Sequence, residues 1–558
     1  MENTNISSFA SLLSNSVAKY PNNKALGFFN EEAITYAEMG RQVSAVKAFL
    51  VNLGLKPGDK VIIYSQNMPN WGIVYFAVVS LGIIVVPVLP DFNPIELGNV
   101  IKHSESKSIF ISQSLIHRLK DVDTSSIDSI VKINDFTVLS PDKQHIRFDP
   151  DLSNDSSYEP KENEMSILLY TSGTTGNSKG VMLTQKNIIS NVIQSGAVQE
   201  IREDFKFLSV LPLSHTYENT IGFMLAIYHG ASITYLKKPP TASVLLPALK
   251  VVKPNIMLTV PLIIEKIFKS SILPTIKKKR LTRWLHAFKP TRKLVYRMAG
   301  KKLYQTFGGK LEFFGIGGAK LDASVERFLL DAKFPYAIGY GLTETSPLVA
   351  GSNPTQTKLQ AIGPKVINSE VIIKDPDPKT GEGEIWTKGP NVMLGYYKDE
   401  EATRKVLTPD GWFKTGDLGV FDKKGWLHHK GRLKNMIVGA NGENIYPEDI
   451  ESMINNFRYV VESLVVQKKG KLVAMVHFNR EELEAKIKSM RNDISSKVEE
   501  SMEAVSHKVD ETIAELTEEL QQYINSRVNK FSRVQQFVSH PTPFIKTATK
   551  KIKRYLYH

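Results

Sequence analysis

The stretch from Tyr170 to Thr184, YTSGTTGNSKGVMLT, continues an apolar, strand-like run, SILLYTS, and leads into a helix-like stretch. Gly173, Gly176 and Gly180 permit tight backbone turns, while Thr171, Ser172, Thr174 and Thr175 set hydroxyls beside exposed N–H groups. Lys179 adds a positive charge. A loop of this make can cradle polyphosphate, because amides and hydroxyls point inward where no side-chain bulk blocks approach. It is not the common P-loop, since no G-x-x-x-x-G-K-[ST] string occurs in the chain, and the nearest dinucleotide-type candidates, GIGGAK and GYGLTE, lack the last glycine. A Ser/Thr/Gly-rich linker has the same composition, so this loop on its own leaves that alternative open.

Outward from the loop, short β-rich runs (VIIYS, SIFIS, ASITYL, NIMLTV, LEFFGIG) alternate with helical stretches through about the first 430 residues. That alternation predicts an α/β fold with helix-covered sheets. A chain of 558 residues with 42% hydrophobic content can bury a large core and form more than one domain. The complete absence of cysteine excludes disulfides, thiolate metal sites and a covalent cysteine intermediate. Any thiol in the chemistry must therefore come from another molecule. The run from Trp71 to Pro90, WGIVYFAVVSLGIIVVPVLP, is apolar enough to weigh as a membrane span. Gly82 and Pro87 interrupt it, however, and its second half is β-branched, so the expectation is a buried helix followed by a core strand. The first residues show neither a charged n-region nor an apolar h-region, and the expected location is cytoplasmic.

Two further stretches stand apart. From Lys277 to Lys302, KKKRLTRWLHAFKPTRKLVYRMAGKK contains no Asp or Glu, and Leu281, Trp284, Leu285 and Phe288 recur at helical spacing. An anionic membrane surface and a solvated helix packing its stripe on the protein both fit; nucleic acid does not, as no nucleic-acid module accompanies the run. Beyond Leu483, apolar residues fall at Ile487, Met490, Ile494, Val498, Met502, Val505, Val509, Ile513, Leu516 and Leu520. The steps predict a long helix or two stacked helices. Residues 481–530 hold twelve acidic and seven basic side chains, so this stripe is read as a packing or partner face rather than a lipid-binding one.

YTSGTTGNSKGVMLT resembles the phosphate loop of the adenylate-forming superfamily, which includes the acyl-CoA synthetases. Further segments follow in the family's order: GIGGAKL from Gly315, GYGLTETS from Gly339, GEIWTKGPNVMLGYYKD, DGWFKTGDLG and GRLKNMIVGANGENIYPEDIE. The resemblance implies an acyl-CoA synthetase-like architecture: a large N-terminal AMP-binding domain over 1–431, a hinge at 432–434 including Lys434, and a small mobile α+β C-terminal domain over 435–558 with a helical insertion at about 481–532. It further implies that Thr171, Ser172, Gly173, Thr174, Thr175, Gly176 and Lys179 hold the phosphates of ATP, with Gly318, Ala319, Tyr340 and Gly341 at the adenine. Asp417 would accept from the ribose hydroxyls and Arg432 would donate to the same nucleotide. Thr343 would meet the α-phosphate, and Glu344, with Thr174, would bind Mg²⁺. The terminal KTATKKIKR is similar to the family's catalytic-lysine segment, which assigns the catalytic lysine to Lys551; Lys550 stands where glycine is usual.

The resemblance narrows to a bacterial long-chain fatty acid–CoA ligase through LPLSHTYENTIG, TVPLIIEKIF and the C-terminal tail. It places His215 and Gly317 in the wall of the acyl pocket and Gly439, Gly442 and Glu443 on the CoA side. The implied reaction converts ATP, fatty acid and CoA to acyl-CoA, AMP and pyrophosphate through an acyl-adenylate. Ligation of fatty acid to an acyl-carrier protein, or of another hydrophobic carboxylate to CoA, stays open as an alternative.

Overall fold

The computed structural model describes residues 6–171, 179–278, 280–438, 443–468, 470–492, 502–547 and 551–557. Two eight-stranded sheets dominate the large N-terminal part. In the first, strands Tyr336–Gly341, Phe313–Ile316, Ile256–Thr259, Lys206–Leu208, Ser232–Tyr235 and Lys24–Phe28 run parallel, with antiparallel Leu348–Gly351 and Ile34–Thr35 at the edges. In the second, Met165–Thr171, Ile84–Val88, Lys60–Tyr64, Ser108–Ile111 and Ser129–Lys132 run parallel, flanked at one end by Lys179–Thr184 and Gly395–Tyr396. Every β-rich run marked in the sequence is one of these strands. Their near-continuous apolar character follows from burial on both faces, as parallel sheets require.

The apolar run from Trp71 to Pro90 resolves into helix Pro69–Ser80 and strand Ile84–Val88. All ten residues from Trp71 to Ser80 are buried. A helix that is apolar all round belongs inside a large protein or a bilayer, and here the interior takes it. Trp71 stacks on Tyr75 at 5.1 Å, and both meet the edge of Phe223. No helix among the described residues is long and apolar enough to cross a membrane.

A four-stranded antiparallel sheet follows, built of Glu370–Lys374, Gly383–Lys388, Phe413–Phe421 and Leu427–Arg432. The smaller C-terminal domain comes next. Its strands Val460–Lys468 and Lys471–Phe478 form a hairpin, and Gln536–Ser539 joins the second of them in parallel. A parallel pair cannot be closed by a tight turn and needs a long crossover. Helices Arg480–Asn492 and Met502–Asn525 supply it, joined by an Arg480–Asp510 ion pair of 2.7 Å. Val509, Ile513, Leu516, Leu520 and Ile524 are buried against Ile450, Ile454, Leu472, Val476 and Phe478. The apolar stripe of this acidic segment therefore packs inward on its own domain, with Asp510, Glu511, Glu515, Glu518 and Glu519 outward; Ile494 and Val498 lie outside the described residues.

Candidate active site

Strands Met165–Thr171 and Tyr336–Gly341, one from each large sheet, carry motifs at their C-terminal ends, and those ends are linked through Lys179, Tyr396 and Glu344. Open α/β sheets bind ligands at such strand ends because loops and helix termini converge there. Thr171 closes its strand opposite Lys179, across the phosphate loop. Ser172, Gly173, Thr174, Thr175 and Gly176 lie outside the described residues. Lys179 places its ammonium 4.5 Å from the Tyr396 ring centre. The Tyr396 hydroxyl donates to Glu344 Oε1 at 2.9 Å, so the phosphate strand, Tyr396 and Glu344 form one connected group.

Strand Tyr336–Gly341 delivers Tyr340, whose hydroxyl donates to Asp417 Oδ2 at 2.9 Å. Gly341 must be glycine: a Cβ there would stand 1.9 Å from the Pro347 carbonyl oxygen. That approach lets Leu342 turn into the short 3-10 segment Thr343–Thr345, in which Thr345 Oγ1 accepts from the Leu342 N–H at 3.0 Å. Thr343 and Glu344 are thereby held beside the Tyr340–Asp417 pair. Glu344 is fixed a second time where its carbonyl accepts from Met393 N at 2.9 Å.

Asp417 and Arg432 are register partners on neighbouring strands. Asp417 is 2% exposed, and Arg432 Nε lies 3.2 Å from its Oδ1. The contact is an ion pair without hydrogen-bond geometry, and Oδ1 is buried with no hydrogen-bond donor. Burial pushes the Asp417 pKa up, yet His429 and Arg432 outweigh it and hold the group below the usual carboxylate range. An ionised, buried acceptor with one oxygen short of a donor is what a diol needs.

The C-terminal tail folds back into the cleft. Thr547 N donates to the Lys551 carbonyl at 2.8 Å, and Lys551 N to Thr547 Oγ1 at 3.2 Å. The motif's outer residues anchor this turn: Lys546 pairs with Glu462, and Arg554 with buried Glu451, which also accepts from Val465 N at 2.7 Å. Lys550 lies outside the described residues, whereas Lys551 is described. Lys551 as a residue is exposed, while the protein around its ammonium desolvates it. The desolvation and the repulsion of Arg432 lower its pKa against the pull of Asp417 and Glu344.

Lys434 joins the same cluster. Burial lowers its pKa to about 8, with Arg432, Lys551 and Lys179 adding repulsion and Asp417 opposing. Four cations thus face two carboxylates, a balance that favours an anion of several charges. His215 stands close enough to Lys551 to feel it; burial and that charge lower its pKa to about 4, so the imidazole is neutral at neutral pH.

Beside this polar cluster runs a narrow apolar cavity with about 40 Å³ of free space. Tyr217, Ile221, Leu225, Ile256, Phe313 and Gly315 are among its walls, and it reaches Ile338 and Gly339, next to Tyr340. Tyr217 lies over the glycines of GIGG; an added Cβ at Gly315 would meet its hydroxyl at 2.8 Å and one at Gly317 its ring at 3.2 Å. Gly317 therefore backs Tyr217, which itself lines the cavity, and Gly318 and Ala319 follow in the turn after the strand. Glu443 is half-buried; Gly439 and Gly442 lie outside the described residues.

The structure brings together Lys179, Thr343, Glu344, Tyr340, Asp417, Arg432, Lys434, Lys551 and His215. It also adds groups that sequence reasoning left without a role: Tyr396, which orients Glu344; His429, beside Asp417; Tyr217, at the cavity; and Thr220, whose hydroxyl donates to the Ser346 carbonyl at 2.8 Å. Three of these fall inside quoted segments, so position was visible and orientation was not. The helix carrying Tyr217 and Thr220, Tyr217–Met224, is a π-helix, a geometry that often marks functional segments.

The sequence profile of the family described as AMP-binding enzyme matches residues 13–397. The long-chain-fatty-acid–CoA ligase FadD15 of Mycobacterium bovis is 28% identical over 464 residues, covering 78% of this chain and 75% of that one. A long-chain-fatty-acid–[acyl-carrier-protein] ligase of Arabidopsis thaliana, AEE15, is 28% identical over 80% of this chain and 73% of its own. Among solved structures, the ATP-bound RpMatB-BxBclM chimera B1 superposes with a TM-score of 0.74 at 23% identity, over 98% of each chain.

Proposed function

This chain belongs to the AMP-binding enzyme family, and on that premise we propose that it is an ATP-dependent, AMP-forming long-chain fatty acid–CoA ligase. The carrying observation is the convergence of Lys179, Arg432, Lys434 and Lys551 on Glu344 and Asp417 at the side of an apolar cavity. One pole of that site suits a polyphosphate and the other an acyl chain.

In the first half-reaction the fatty acid carboxylate attacks the α-phosphorus of ATP. The bond from that phosphorus to the bridging oxygen breaks, and pyrophosphate leaves with the electron pair. Charge builds on the α-phosphate oxygens, where Lys551, Arg432 and the Thr343 hydroxyl stabilise it; such preorganised groups are worth about 3–4 kcal/mol each. The loop from Thr171 to Lys179 wraps the outer phosphates, Asp417 Oδ1 accepts from the ribose hydroxyls, and the Tyr340 face packs on adenine. Glu344 is a single hard oxygen ligand, and the described residues contain no group of three acidic or histidine side chains able to hold a metal alone. A lone carboxylate of that kind suits Mg²⁺, which Glu344 and Thr174 would hold together with the nucleotide. The ion offsets phosphate charge when bound.

In the second half-reaction the CoA sulfur attacks the acyl carbonyl, AMP leaves, and the thioester remains. The chain has no cysteine, so no residue of its own can intercept the acyl group. Residues 432–434 act as the hinge on which 435–558 turns, withdrawing Lys551 and bringing Gly439, Gly442 and Glu443 to the nucleotide. The reading extends to the cytoplasm and to peripheral contact with an anionic membrane, where long-chain acids reside.

Similarity to AEE15 supports a second reading, transfer to an acyl-carrier protein. Pyrophosphate release across carboxylates of graded chain length, with CoA, with carrier protein or with neither, separates the two. Stimulation by long-chain acids and thioester formation with CoA is expected. If no fatty acid stimulates release, the ligase reading fails.

A further inference from the structure

Residues 277–302 contain eleven Lys and Arg and no Asp or Glu. They form helices Arg280–Ala287 and Lys289–Thr306, which pack together. One side of the pair is consumed by the protein: Val295, Tyr296 and Leu303 are buried in the core beneath the first sheet, with Leu285 packed against it. Burial of that side leaves five large apolar side chains outward: Leu281 at 67% exposure, Trp284 at 59%, Phe288 at 51%, Leu294 at 56% and Met298 at 68%. Trp284 and Phe288 meet edge-on at 5.2 Å, forming an aromatic ridge in water. Exposed Lys277, Lys278, Arg280, Arg283, Lys293, Arg297, Lys301 and Lys302 surround them.

A recess of about 680 Å³ opens at the root of the second helix. Arg292, Lys293, Arg297 and Arg327 line it against the single carboxylate of Asp331. The recess thus carries a net positive charge, and its volume is within the size range of small-molecule sites.

We propose that this helix pair is a docking surface for an anionic lipid bilayer: the Trp284–Phe288 ridge with Leu281, Leu294 and Met298 enters the headgroup layer, and the arginine recess takes a lipid phosphate. Exposed apolar side chains rimmed by cations lose water on entering that boundary while the cations gain anionic partners. An acidic protein would satisfy the charge alone and a nucleic acid would leave the aliphatic side chains wet, so the bilayer is the occupant that matches both parts. The inference deepens the reading of a ligase for long-chain acids and rests on it for its purpose, but it is measured without turnover, so each can fail alone.

The test is co-sedimentation of the full chain with phosphatidylcholine vesicles, with and without phosphatidylglycerol. Partition onto the anionic vesicles is expected to be about tenfold stronger and to fall steeply with salt. The double variant W284E/F288E is expected to lose about tenfold in partition while pyrophosphate release with a water-soluble medium-chain acid stays unchanged. In the unaltered sequence, brominated lipid should quench tryptophan emission, and W284F should abolish that quenching. Equal partition onto both vesicle types, undiminished binding of W284E/F288E, or quenching that persists in W284F overturns the proposal. So does binding to an acidic carrier protein or duplex DNA through these residues with none to vesicles.

Discussion

Lys551 shows how a single side chain acquires its role. Its place in KTATKKIKR is legible from sequence, and its contacts are not, because the ammonium meets Glu344, Asp417 and Arg432 only after the tail folds back. Replacing it with alanine is expected to lower adenylation at least a hundredfold, with fatty acid binding retained; pyrophosphate release beside a fluorescent fatty acid titration checks both. Lys434 makes a pH prediction. Its pKa is depressed to about 8, so the folded protein without nucleotide favours the neutral amine above that pH. Polyphosphate favours the charged form, and binding therefore takes up a proton once the pH passes about 8. ATP affinity is expected to weaken as pH rises through that value, and a Lys434→Met variant should bind more weakly at pH 7 with a flatter profile, by calorimetry at several pH values. Buried Glu218 points the other way on stability. Burial raises its carboxyl to about 8 from an ordinary value near 4.5, so its folded-state advantage belongs to the protonated form, is full below about pH 4.5 and is lost as pH rises through about 8. Glu218→Gln should lose less melting temperature than the parent between pH 6 and pH 9.

Elements explain why certain residues cannot change. The turn after strand Tyr336–Gly341 depends on the Gly341 backbone lying against the Pro347 carbonyl, and a Cβ at 1.9 Å would displace Thr343 and Glu344 together. Repeating glycines in GYG marked a turn in the sequence; the identity of the atom that forbids a side chain came from the packing. The helices of the C-terminal crossover follow the same division. Their apolar spacing announced two stacked helices or one long one, and the parallel pairing of Lys471–Phe478 with Gln536–Ser539 explains why a crossover must exist at all. Leu520 is fully buried in that domain's core. Leu520→Ala is expected to cost about 2–5 kcal/mol, seen as early unfolding of the C-terminal domain in a denaturant titration.

At the scale of the whole molecule, the two domains meet in an arrangement that holds Lys551 in the cleft. Lys320 pairs with Asp449, Asn456 donates to Asp322, and the Lys269 ammonium donates to the Asn455 carbonyl at 2.6 Å. Partly exposed ion pairs of this kind contribute about 0.2–1 kcal/mol, weak enough for a small domain to leave and return. Reversing one charge with Lys320→Glu is expected to slow adenylation about two- to fivefold and leave thioester formation from a preformed acyl-adenylate unchanged, a split that single-turnover kinetics resolves. By itself the amino-acid order determined the alternating α/β architecture, the interior helix and strand of residues 69–88, the phosphate-loop motif and the need for an external thiol, since these rest on local periodicity, backbone-permissive glycines and composition. Tertiary structure alone decided that Lys434 stands among the cations around Asp417, that Tyr217 and Ile221 line the apolar cavity, and that Leu281, Trp284 and Phe288 face water while Leu285 packs inward. Those outcomes depend on groups far apart in the chain meeting across a cleft or competing for one core face, and no local pattern records which side chain wins.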